Sequence, residues 1–107
     1  MFRKITSVVS KFTNTPSLVQ GHDYHLIGID DTHYRIIDES GDPVLYPKNY
    51  FLDEDVSPPE EWVFRDYGDG EYVYLVPALS ARGFYEDYAD GVQEVVEIFQ
   101  DFRRSLE

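Results

Sequence analysis

The sequence predicts an α+β fold: an antiparallel meander, then a second β-hairpin, then a C-terminal amphipathic α-helix packed on the sheet. Three observations lead there. Between Gly21 and Phe51, three runs of bulky and branched side chains are separated by turn-forming residues. Around Gly68-Asp69-Gly70, an Asp-Gly pair sits between two aromatic-rich runs, a strong short-range hairpin signal. Over residues 92–106, apolar side chains recur at three- and four-residue steps.

In chain order, residues 5–13 (ITSVVSKFT) are β-branched and read as a strand, although Phe2, Ile5, Val9 and Phe12 also fit a helical stripe. Asn14-Thr15-Pro16-Ser17 is a loop. The meander consists of 24–29, a break at Asp30-Asp31-Thr32, then 33–37, a turn at Glu39-Ser40-Gly41-Asp42, and 44–46. Pro47 ends it, because proline has no N–H for a ladder. Asp53-Glu54-Asp55 and Ser57-Pro58-Pro59-Glu60 form a stiff polar connector, the best candidate for a seam. Beyond it, 61–67 and 71–76 form the hairpin. Alternation places Trp62, Phe64 and Asp66 on one face and Val63, Arg65 and Tyr67 on the other, with Tyr72, Tyr74 and Val76 alternating with Val73 and Leu75 on the partner strand. Pro77 stops it, and 83–88 read as irregular. The helix is expected to begin at Asp90 as N-cap, with Gln93 at the capping-box position and Glu94 at the positive end of the dipole. Val92, Val95, Val96, Phe99, Phe102 and Leu106 form its apolar face, and Arg103 and Arg104 suit its C-terminal end.

A chain of 107 residues with 42% apolar content makes a single domain, 1–107, with halves at 5–52 and 61–107. Without cysteine, neither disulfides nor thiolate metal sites support it. No apolar run approaches the roughly 18 residues of a spanning helix, and the N-terminus lacks a secretory pattern, so a soluble, cytoplasmic protein is expected. Charge is the outstanding feature. Residues 1–22 carry Arg3, Lys4 and Lys11 and no acid, while the remainder holds all 21 acids against six bases, a balance of −15. Such a field disfavours direct nucleic-acid or membrane binding and favours a basic protein partner. It also serves solubility alone.

Pro47-Lys48-Asn49-Tyr50 is similar to the Pro-x-Asn-Tyr element that closes SH3 domains. The order Leu18-x-x-Gly21, strand, Asp30-Asp31 turn, strand, turn, third strand also resembles that family and small SH3-like proteins of bacteria and phages. The likeness covers about residues 5–52. It implies an SH3-like small β-barrel, here extended by the second hairpin and the helix. It also implies a groove around His33, Tyr34, Pro47 and Tyr50 that would take a peptide. His33 stands where peptide-binding members carry tryptophan, and Ser7-Val8-Val9-Ser10-Lys11-Phe12 replaces their tyrosine-bearing opening.

Several arrangements invite a chemical reading. His22, His25 and His33 lie among Asp23, Asp30 and Asp31, which offers nitrogen and oxygen ligands but no family spacing, so no metal or cofactor is expected. Asp38/Glu39, Glu60/Glu61 and Glu86/Asp87 are paired acids that read as solvated turns before they read as acid–base pairs. No nucleophile setting or phosphate loop is present, and no catalytic residue is assigned. The aromatic residues offer more. Nine Tyr, seven Phe and one Trp exceed what a core of this size must hold. Tyr67, Tyr72, Tyr74, Phe84, Tyr85 and Tyr88, with Glu86 and Asp87, therefore form a predicted partner face. The leading expectation is a non-enzymatic acidic protein-binding module of the inhibitor or immunity type. An SH3-like adaptor, a nucleic-acid-mimicking inhibitor and a small enzyme are the alternatives.

Overall fold

The computed structural model describes residues 7–11, 16–52 and 56–106. Its meander follows the expected turns: β2 (Asp23–Asp30), β3 (His33–Ile37) and β4 (Pro43–Pro47) pair antiparallel in sequence. Asp30 builds the first bend itself, its Oδ1 accepting from the backbone N–H of Thr32 at 2.8 Å and of His33 at 2.5 Å. At the second bend Gly41 takes φ 85°, a left-handed conformation that suits glycine. Pro47 closes β4, and Lys48–Tyr50 coils into one 3-10 turn. β1 (Ser7–Val9) falls within the stretch expected to be extended, and it pairs with the start of β2. Leu52 N–H donates to Val9 O and Lys11 N–H to Tyr50 O, both at 2.9 Å, so the same segment also ties down the chain after the 3-10 turn. The remaining residues of 5–13 that were read as strand, 5–6 and 12–13, lie outside the described residues, as do Asn14, Thr15 and the acids at 53–55.

The hairpin forms around Asp69-Gly70. Both residues have positive φ (54° and 82°), the mirror-image turn whose twist matches the flanking strands β5 (Val63–Gly68) and β6 (Glu71–Leu75). Yet the hairpin is not an appendage. Leu75, Tyr74 and Val73 of β6 stand opposite Gly28, Ile29 and Asp30 of β2. The result is a six-stranded antiparallel sheet with the main path β4-β3-β2-β6-β5, β1 lying off that path against β2. This sheet does not close, which corrects the expectation of a barrel with an added hairpin. β2 is apolar on both faces, with Leu26 and Ile27 both buried, and an unpaired edge there would strand backbone donors away from water. β6 pairs there with Gly28, Ile29 and Asp30, and Val76 N–H bonds to Ile27 O.

A 3-10 turn at Pro77–Leu79 leads to a helix, α1 (Phe84–Ala89), where irregular chain was expected. The C-terminal helix α2 (Gln93–Ser105) starts two residues later than predicted, with Val92 in place of Asp90 as N-cap and no side chain capping it. Gly91 explains both corrections. At φ 75° it ends α1, with Gly91 N–H bonded to Tyr88 O and Val92 N–H to Asp87 O, each at 3.0 Å, a Schellman closure. Asp90 is thereby spent as the C-cap of α1.

The sheet separates two cores. Val8, Tyr24, Leu26, Ile29, Tyr34, Ile36 and Phe51 fill the first, on the side of β1. Ile27, Ile37, Leu79, Phe84 and Phe99 fill the second, where Val95 and Phe102 of α2 and Leu106 at its C-cap pack as predicted. Val92, placed on the same stripe, is exposed. A bulge in β2 serves both cores. Leu26 opposes Ile36 and Gly28 opposes Arg35, so Ile27 is the extra residue and turns toward the helices.

Candidate functional site

The predicted partner face divides in two. On the hairpin, the register sets Phe64 opposite Tyr74 and Asp66 opposite Tyr72, so Phe64, Tyr72 and Tyr74 share one side of the sheet. Their ring centroids lie 4.9 Å apart for Phe64–Tyr74, 5.8 Å for Tyr72–Tyr74 and 6.3 Å for Phe64–Tyr72. These spacings are those of interacting aromatic pairs. The set is not sealed: Phe64 remains 51% exposed, and Tyr67 near the tip 61%.

On α1 the rings turn inward, contrary to expectation. Phe84 is buried in the second core. Tyr85 lies beneath the Arg35 guanidinium, whose central carbon sits 3.7 Å from the ring centroid. Its hydroxyl is buried and makes no hydrogen bond among the described residues, and burial pushes its pKa up. Tyr88 packs edge-on against Phe99 at 5.1 Å and donates its O–H to Asp42 at 2.8 Å. Helical spacing causes this reversal, because a short helix laid on a sheet must bury one side. Of the α1 residues in the predicted partner face, Glu86 and Asp87 stay exposed.

Between the hairpin and α1 runs a cleft of about 630 Å³. Gly28 and Leu75 contribute to its floor, Tyr67, Tyr72 and Glu71 come from the hairpin, and Tyr85 and Glu86 come from α1. It also draws together Arg35, Arg65 and Arg82, three of the chain's nine basic residues. Arg65 and Arg82 have no carboxylate partner among the described residues. Arg35 donates to Pro43 O at 3.2 Å. Burial lowers its pKa, against the pull of Tyr85, Asp30 and Glu86. Gly28 has ordinary φ; space is what requires it, since a Cβ there would meet Arg35 Cβ at 3.2 Å. Phe64 was placed correctly by alternation but not singled out. No local signal marked the arginines, which meet only through the fold.

On the opposite side of the sheet, a smaller groove of about 400 Å³ runs past Phe64, Tyr72 and Tyr74 toward Lys48, Val56 and Pro58. None of the four residues expected in an SH3-like groove lines it. Tyr34 is fully buried in the first core, which corrects its placement on a surface. His33 and Pro47 oppose each other across β3 and β4, half-buried, and Tyr50 packs beside Tyr46 with centroids 6.1 Å apart.

The histidines and paired acids have other uses. Asp38 is buried at the β3–β4 turn and accepts from Tyr46 O–H at 2.9 Å, from Ser40 N–H at 3.0 Å and from the Ser40 hydroxyl. Its neighbour Glu39 is exposed and accepts from Tyr24 O–H at 2.7 Å, with His22 Nδ1 at 3.2 Å. The tyrosine bond, then the histidine bond, lowers the Glu39 pKa. Among the described residues no three His, Asp or Glu side chains converge as a metal site. No described helix is long and apolar enough to cross a membrane. Comparison with protein families, curated proteins and solved structures finds no match to this chain.

Proposed function

We propose that the chain is a non-enzymatic protein-binding module, of the kind a bacterial or phage inhibitor or immunity protein represents, and that the β5–β6 hairpin is its contact face. The observation that carries this reading is the open aromatic set. Phe64, Tyr72 and Tyr74 stack on one another on one side of the hairpin while Phe64 keeps about half its surface in water, and Tyr67, more than half exposed, stands on the side of the cleft. Burial of such rings is worth most at the centre of an interface. Glu60, Glu61, Asp66, Asp69 and Glu71 lie in or next to the hairpin in a chain of net charge −12, which favours a basic partner and steers its approach.

The test is a parallel recovery of partners from source cells on the wild-type chain and on Phe64→Ala/Tyr67→Ala, with circular dichroism showing that the variant stays folded. A basic protein should be held by the first and lost from the second, with an association rate that falls as salt is added. Equal recovery by both chains would remove the hairpin from the interface. Tyr85 and Tyr88 are unsuitable for this test, because altering them disturbs packing.

The likeness of the first half to SH3-like barrels belongs to the same proposal. It is supported by the β2–β3–β4 order, the 3-10 turn after Pro47, and the bonding of β1 to residues 50–52. With Tyr34 buried, peptide capture at the expected groove has less support than contact through the hairpin.

A further inference from the structure

The two edges of the sheet are not alike. β4 is flanked by Pro43 and Pro47, and neither proline can donate to an added strand. β5 contains no proline, and its outer side is unpaired among the described residues. A register shift between Asp66 and Gly68 disturbs it only near the tip, which leaves Val63 to Asp66 as a regular stretch.

From this we infer that β5 is a pairing edge, which receives an extended segment of the partner as a seventh strand. The inference rests on the hairpin being the contact face and adds how that contact is made. The side chains state the segment's chemistry. Opposed residues in a sheet point to the same side, so a strand beside β5 meets Phe64 and, two residues along, Asp66 on the aromatic side. The matching segment sets an apolar residue against Phe64 and a lysine or arginine against Asp66. Exposed Glu61, Asp69 and Glu71 nearby favour the same sign of charge.

A second copy of this chain fits poorly. A two-fold antiparallel pairing that overlaps β5 fully must centre on Arg65 or Asp66, and each centre sets like charges opposite one another. It would also join two chains of net charge −12.

The test uses nuclear magnetic resonance of the full chain titrated with three capped peptides. The first is Thr-Val-Thr-Lys-Thr-Val-Thr, the second has glutamate in place of lysine, and the third is the first with every backbone nitrogen methylated, so that neither of its edges can join a ladder. Pairing at the edge predicts shifts along Val63 to Asp66, slowed exchange of alternate β5 amides, and loss of both with the methylated peptide. The glutamate peptide should bind about tenfold more weakly. Shifts centred on β4 or confined to the cleft would overturn the inference. If the methylated peptide binds as tightly as the first and still moves the Phe64, Tyr72 and Tyr74 resonances, the ladder fails while the hairpin face stands. Silence of every hairpin resonance with all three peptides sinks both.

Discussion

At the scale of single residues, two tyrosines with opposite surroundings make the sharpest prediction. Tyr46 donates to a buried carboxylate, Asp38, at the β3–β4 turn. Tyr46→Phe leaves that carboxylate short of a donor and should cost about 1–3 kcal/mol. Tyr85 carries a buried hydroxyl with no hydrogen-bond partner among the described residues, while its ring holds Arg35. Tyr85→Phe keeps the ring and removes the orphaned group, so stability should hold or rise by up to about 1 kcal/mol. Urea unfolding of the two variants checks both signs, and a large loss at Tyr85 would mean that its hydroxyl has a role the packing does not reveal. Sequence reading could not have separated these two residues. Tyr46 sits between Leu45 and Pro47 and Tyr85 between Phe84 and Glu86, and only tertiary contacts distinguish a tyrosine that donates from one that is walled in.

At the scale of elements, legibility follows the range of the signal. The meander and the hairpin were readable because Asp30, Gly41 and Asp69-Gly70 dictate their bends within a few residues. The apolar face of α2 was readable from periodicity over 13 residues. α1 was missed because its six residues span less than two turns, too few for a period to show. Ala89-Asp90-Gly91 was then read as the start of a helix when it is the end of one. The glycine is the deciding residue. Gly91 sits at φ 75° with nothing within 4 Å of where a Cβ would project, so Gly91→Ala adds conformational strain alone. It should cost about 1–2 kcal/mol. Thermal unfolding measures it, and an unchanged Tm would show that the α1–α2 junction tolerates another conformation.

At the scale of the whole molecule, the placement of β6 beside β2 was not legible. Strand partners distant in sequence leave no local trace, and β2 reads the same whether or not a hairpin lies along it. The pairing gives both halves of the chain one sheet, and the second core is shared between them, Ile27 and Ile37 packing with Leu79, Phe84 and Phe99. Hydroxyls from three parts of the chain converge on the β3–β4 turn: Tyr24 on Glu39, Tyr46 on Asp38 and Tyr88 on Asp42. Burial first, and then these carboxylate bonds, push the pKa of each to about 12. A phenol whose folded value is raised stabilises the fold fully below the unfolded value of about 10, and that contribution is lost as pH climbs toward about 12. Alkaline titration should therefore show phenolate absorbance from these residues rising together with loss of circular dichroism. Complete phenolate formation with the dichroism intact would contradict the placement of these hydroxyls.

That turn has a further tie. Arg103 of α2 donates to Gly41 O at 3.1 Å, and its guanidinium fills the space where a Cβ on Gly41 would lie. The tip at Gly70 has nothing within 4 Å. The two bends therefore differ as places to splice in a foreign loop or fluorophore. A graft at the tip leaves the architecture standing but shadows the surface that meets a partner. One at Gly41 would pull the C-terminal helix from its mooring and spare that surface, so the sites separate loss of recognition from loss of shape.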